Sequence, residues 1–221
     1  MRGLFLIVWL LCLALLHGCG PSDPGGADST ERQDELPIPS VTISLSSKLT
    51  NLDILGSTHQ PSIVTLYLIA GQLFRLNHDW SVEPELAESM EVSGDGLTVT
   101  VTLKEGLVYS DGTPVTSRDV VFAYTRNRDH PGPFFALLLA PIRQVEAPDP
   151  KTAVFHLKEP YLDLSLALAH MAMGIHPQSR IEEDPDYFRH PVSSGPYVLT
   201  EWIPGASKWV IESNPNYVRG P

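Results

Sequence analysis

Ser110-Asp111-Gly112-Thr113-Pro114-Val115-Thr116, running on to Asp119-Val120-Val121-Phe122, reads as a tight turn that delivers the chain into a helix. Gly112 is free to take a positive φ because it has no Cβ, and Pro114 fixes the exit of the turn. Thr116 stands three residues ahead of Asp119. At that spacing its hydroxyl can cap the helix backbone, while the carboxylate faces the positive end of the helix dipole. Val120, Val121 and Tyr124 supply the apolar face with which such a helix packs.

Upstream of this stretch, Gly94-Asp95-Gly96 separates Met90-Glu91-Val92 from the alternating run Leu97 to Leu103, which predicts a β-hairpin. Further upstream, Leu66, Ile69, Ala70 and Leu73 recur at helical spacing, so the reading is a helix over 63–74 that starts near Pro61-Ser62. Val41 to Leu45 alternates like a strand with one buried face, and 46–59 is a polar loop. Downstream, Ala153 to Leu157 reads as a strand and Leu162 to Ala172 as a helix. Val198 to Glu201 with Trp209 to Glu212 reads as a closing strand pair. Interspersed strands and helices, punctuated by 20 prolines in 221 residues, make the expected class mixed α/β (α+β) and exclude a helical bundle.

The net charge is −11 with no cluster of Lys or Arg, which excludes a nucleic-acid partner, since phosphate binding depends on clustered cations. There is no Gly-x-Ser-x-Gly elbow, no phosphate loop and no His-Glu-x-x-His pair, so no catalytic constellation is expected. The eight histidines do not fall at metal-ligand spacing. No metal and no cofactor are expected.

At the amino terminus, Arg2 precedes an apolar run of 13 residues, Leu4 to Leu16. As a helix this would reach about 20 Å, short of a hydrocarbon core about 30 Å thick, so it reads as a secretory signal over residues 1–18. Leu16-His17-Gly18-Cys19 resembles the bacterial lipobox, which makes Cys19 the expected lipidation site. An ordinary signal with an incidental cysteine is the alternative. Residues 19–39, poor in apolar side chains and rich in Gly, Ser, Asp and Pro, read as a flexible tether.

The spread of blocks resembles one family. Leu52-Asp53, Pro84-Glu85-Leu86-Ala87-Glu88-Ser89, Asp95-Gly96-Leu97-Thr98, Leu103-Lys104-Glu105-Gly106, the Asp111-Gly112 block, and Ser194-Gly195-Pro196-Tyr197 with Asn214-Pro215-Asn216-Tyr217 occur in the order found in family 5 extracellular solute-binding proteins of the dipeptide and oligopeptide type. The resemblance covers 41–219. It implies a type II periplasmic-binding-protein-like lobe and a chain that is the amino-terminal part of a clamshell. Residues 40–60 and 190–221 would lie in the first lobe, with 61–189 as an inserted α/β subdomain.

Such proteins capture a solute outside the cytoplasmic membrane and hand it to an ATP-driven importer. The implied partners are therefore a small solute, expected to be a peptide, the permease of an ABC importer, and the membrane through the lipid anchor. The expected location is exported and anchored, facing the periplasm or the extracellular side. The ligand-binding candidates carried over from the family are Asn51, Leu52 and Asp53 in the cleft loop, Phe135, and Ser194 and Gly195 at the re-entry into the first lobe. The resemblance places the second lobe beyond the point where this chain ends, so tight peptide binding by the 221-residue form is not expected. The alternative is a stand-alone lipoprotein interaction module or a non-functional fragment.

Overall fold

The strand β4 (Thr98–Leu103) buries Val99, Val101 and Leu103 and leaves the three threonines between them half-exposed. Its period of two is thus written directly into one packed face. β4 pairs antiparallel with β3 (Ala87–Val92) on one side and β6 (Thr152–Leu157) on the other, and β5 (Ile142–Asp149) completes the sheet in the order β3-β4-β6-β5. In register, Val99 faces Phe155 and Val101 faces Ala153, so the buried faces of two strands coincide. The computed structural model describes residues 45, 47–56, 59–130 and 137–220. The chain divides at Ile43/Ser44, and every described residue belongs to the second part. The expected signal, Cys19, the tether, Val41 to Ser44 of the expected first strand, and Phe135 all lie outside the described residues.

Helix α1 (Gln60–Ile69) comes first, then the small sheet of β1 (Phe74–Leu76) and β2 (Val82–Pro84). Helix α2 (Ser117–Asp129) follows β4 and packs on β5 and β6. Two short helices, α3 (Leu164–Leu168) and α4 (Gln178–Glu183), lead to a separate two-stranded sheet of β7 (Tyr197–Glu201) and β8 (Val210–Ser213). One buried cluster, from Leu49 to Ile175, joins α1, the four-stranded sheet and α2. The mixed α/β class is the observed one, and every strand pairing among the described residues is antiparallel.

The turn at Asp111-Gly112-Thr113-Pro114 forms as expected, with Gly112 at φ 82. At the start of α2, Asp119 Oδ2 accepts both the Thr116 N–H at 2.8 Å and the Thr116 hydroxyl at 3.0 Å. The other oxygen, Oδ1, accepts the Gln178 N–H from α4 at 2.9 Å. The carboxylate therefore joins two helices, a role that the local motif alone does not contain.

Two helices differ from the sequence expectation. The reading of 63–74 gives way to Gln60–Ile69, because Gln72 and Leu73 are taken into strand-like pairing with 85–87 through Glu85 N–H to Leu73 O and Leu86 N–H to Gln72 O, both at 3.0 Å. The expected helix over 162–172 shrinks to Leu164–Leu168. There the His170 imidazole accepts the Ala172 N–H at 3.1 Å and Met173 N–H turns back to His170 O. A local side-chain acceptor competes with the helix ladder, and the chain leaves to bond Ile175 N–H to Gly71 O at 2.9 Å.

Long-range bonds tie the two ends of the described region to its middle. Ser110 N–H donates to Ser193 O at 2.7 Å, Ser193 N–H donates to Ser110 Oγ at 3.0 Å, and the Asn216 side chain donates to Tyr109 O at 3.1 Å. Buried Glu85 accepts the Tyr217 hydroxyl at 2.7 Å and the Gln72 N–H at 3.0 Å. Burial raises its carboxyl above the ordinary 4.5, against the opposing pull of those hydrogen bonds and of Arg75.

Candidate functional site

The loop 47–56 is shaped first by its own side chains. Asn51 Oδ1 accepts the Asp53 N–H at 2.8 Å, and Asp53 Oδ1 accepts the Leu55 N–H at 3.1 Å. Two successive Asx-turns therefore bend the backbone without any strand partner. Leu49 and Leu52 are wholly buried and Ile54 nearly so, which sinks one side of the loop into the core. Leu49 O accepts the Trp202 indole N–H at 3.2 Å and the Gly205 N–H at 2.9 Å, while Asn51 O accepts the Ser62 hydroxyl at 2.6 Å.

The third tether is an ion pair. The Arg126 guanidinium on α2 meets both oxygens of Asp53, Nη1 to Oδ1 at 2.9 Å and Nη2 to Oδ2 at 2.7 Å. The same guanidinium lies 5.3 Å from the centre of the Phe188 ring, within cation–π range. His176 packs edge-on against Tyr187 and Phe188, and its Nδ1 lies 3.1 Å from the Tyr187 hydroxyl. Arg126, His176, Phe188, Ile54, Asn127 and Met171 line a cavity of ≈ 30 Å³. That is room for about one water molecule, and not for a peptide.

Enclosure of the imidazole lowers the His176 pKa from 6.5 to about 4, with the Arg126 charge adding to the effect and Asp53 opposing it. The ring is therefore neutral at physiological pH. Because the folded form resists protonation, the stability this group contributes is whole above pH 6.5 and is lost as pH falls toward about 4. An NMR titration of the imidazole is expected to show a midpoint near 4. A midpoint at the ordinary value would contradict this enclosure.

Ser194 and Gly195 sit where the chain crosses from α4 to β7, and both have structural partners. Ser194 Oγ donates to Ile175 O at 2.8 Å and accepts the Gly71 N–H at 3.0 Å. Gly195 N–H donates to Ile69 O at 3.0 Å, and its carbonyl accepts the Asn214 side chain at 2.8 Å. Ser193 also donates its hydroxyl to Ile69 O. Together the Ser193–Gly195 segment grips the carboxyl end of α1, the helix that also holds the 47–56 loop through Ser62.

The structure thus brings Asn51, Leu52 and Asp53 together in one loop and connects them to Ser194 and Gly195 through α1. Leu52 is in the core, Ser194 is buried, and both Asp53 oxygens are engaged. Sequence reasoning missed Arg126, His176 and Phe188. Arg126 lies four residues past Phe122 on α2, but no local pattern announces a partner 73 positions away.

Residues 81–221 match the family model described as bacterial extracellular solute-binding proteins, family 5. The chain is 33% identical over 181 residues to the glutathione-binding protein GsiB of Salmonella typhi, an alignment covering 80% of this chain and 35% of that protein. Against GsiB of Escherichia coli O157:H7 it is 32% identical over 164 residues, 73% of this chain and 32% of the relative. The chain therefore spans about a third of the length of the curated relatives it matches. Among solved structures, MoaA of A. tumefaciens R10, determined with mannopinic acid, superposes with a TM-score of 0.72 at 31% identity, over 79% of this chain and 37% of that one. The substrate-binding domain of an oligopeptide ABC transporter from Bacillus anthracis gives 0.71 at 22% identity, over 80% and 38%, which bears on the fold alone.

Proposed function

We propose that this chain, which belongs to the bacterial extracellular solute-binding proteins of family 5, supplies one wall of a solute-binding cleft used for import by an ATP-driven transporter. The family is one of substrate-binding proteins. The observation that carries the reading is the 47–56 loop, which the fold pins from three sides: by Trp202 and Gly205, by Ser62, and by Arg126. A pinned irregular loop is how a rigid scaffold presents recognition groups. The ligand in this reading is a small peptide, supported by the relatives named as glutathione-binding. In this reading Asn51 is the side chain of the loop that meets it, with the loop backbone offering the groups that an extended peptide uses. The further partners in this reading are an importer permease and the membrane, through a lipid on Cys19.

In a cleft of two walls, closure buries the ligand between them, and the ligand biases the hinge by contacting both. One wall alone offers part of those contacts, so a dissociation constant on the order of 1 mM is expected for the 221-residue chain. Titrating glutathione and mixed tripeptides into isotopically labelled protein should give saturable NMR shifts centred on residues 51–55, with the four-stranded sheet unmoved. Saturable shifts absent from this loop with every peptide tried would overturn the reading.

A further inference from the structure

We infer that Arg126 is a positioning residue, a strut on α2 that fixes the orientation of the 47–56 loop and so sets the wall offered to the ligand. This deepens the proposed function and rests on the loop facing the cleft. Among the described residues, three features of the loop leave a task that the ion pair performs. Burial of Leu49 and Leu52 fixes how deep the loop sits, but apolar contact is non-directional and permits rotation about that seat. The two Asx-turns fix local bends and carry no information about the rest of the fold. The bonds to Leu49 O and Asn51 O hold the amino-terminal half of the loop. The carboxyl-terminal half, where Asp53 also receives the Leu55 N–H and the Gly56 N–H, meets α2 through the guanidinium.

A bidentate fork fixes angle as well as distance, which a point charge does not. Phe188 stacks on the same guanidinium, so the fork is held in place before it meets the carboxylate and loses less conformational freedom on pairing. The pair is about a quarter exposed on each side, which keeps it short of the heavy desolvation cost of a fully buried pair. With both oxygens engaged by Arg126, Asp53 acts as a buttress of the cleft loop.

Hydrogen exchange on the whole chain tests this without any ligand, so a failure to bind peptide would leave the result readable. Arg126→Gln and, separately, Asp53→Asn are expected to speed exchange at the Asp53, Leu55 and Gly56 amides by on the order of tenfold. Val101 and Phe155 in the central sheet should keep their wild-type protection. Arg126→Lys, which keeps the charge and loses the fork, should fall between. Arg189→Gln, which removes an exposed i,i+3 pair with Asp186, should leave the loop unchanged. Unchanged loop amides in both Arg126→Gln and Asp53→Asn, equal acceleration in the sheet, or full protection in Arg126→Lys would each overturn the proposal. If Arg126→Gln does not fold, the isosteric Asp53→Asn carries the same test.

Discussion

Gly195→Ala is expected to lower the stability of the fold by about 3 kcal/mol, the upper end of the cost of forcing extra atoms into a packed site. A Cβ built on Gly195 would lie 2.8 Å from the Ile69 carbonyl carbon and 2.9 Å from the Ala70 nitrogen. Both are backbone atoms at the end of α1, so no side-chain rotation can relieve the contact. Nor can the backbone retreat easily. Ile69 O is bonded to both the Gly195 N–H and the Ser193 hydroxyl, and Gly71 N–H is held by Ser194. Gly94→Ala is the matched control, since a Cβ there meets nothing within 4 Å. It should stay within about 0.5 kcal/mol of wild type. Urea unfolding of the two variants checks the pair of expectations, and equal midpoints would refute the close-approach account of the Ser-Gly-Pro block.

The second large effect is expected at Phe155→Ala, a loss of about 3–5 kcal/mol. Phe155 is wholly buried on β6, faces Val99 on β4 and Val145 on β5, and meets the Tyr124 ring edge-on at 5.2 Å. Truncation would remove the Tyr124 ring contact between α2 and β6 and open a cavity that the surrounding strands cannot collapse into. Tyr124 would lose its ring partner while its hydroxyl still donates to Leu168 O. Because domains of ordinary stability hold only about 5–15 kcal/mol in total, this variant should unfold at a much lower urea concentration. Phe155→Leu, which refills part of the volume, should recover most of the loss. A shift in Phe155→Ala below about 1 kcal/mol would mean that β6 is not the packed centre of the sheet.

The two positions were unequally legible. Phe155 stands in Ala153 to Leu157, which reads as a strand from the sequence, and the structure puts it on the buried face of that strand. Gly195 was legible only as part of a family block. Its reason, the close approach to Ile69 and Ala70, depends on residues more than 120 positions earlier in the chain. The same division separates Asn51 from Arg126. The Asx-turns of Asn51 and Asp53 close within residues 51–55, a stretch that reads from the sequence only as polar loop, whereas the partner that occupies the Asp53 carboxylate comes from another helix.

The helices show how tertiary demand overrides local pattern. Residues 70–74 carry helical spacing, yet Gly71 lies against Ser194 and Leu73 pairs with 85–87, so the helix stops at Ile69. Strands β4 and β6, the Asp-Gly turn, the start of α2 and the mixed class follow from periodicity and local backbone chemistry acting over a few residues. Where α1 and α3 end, what Asp119 and Asp53 bind, and why Gly195 is a glycine depend on the folded chain as a whole. Those outcomes are set by hydrogen bonds and close contacts between segments far apart in sequence, and such contacts form only when the buried faces have already brought the segments together.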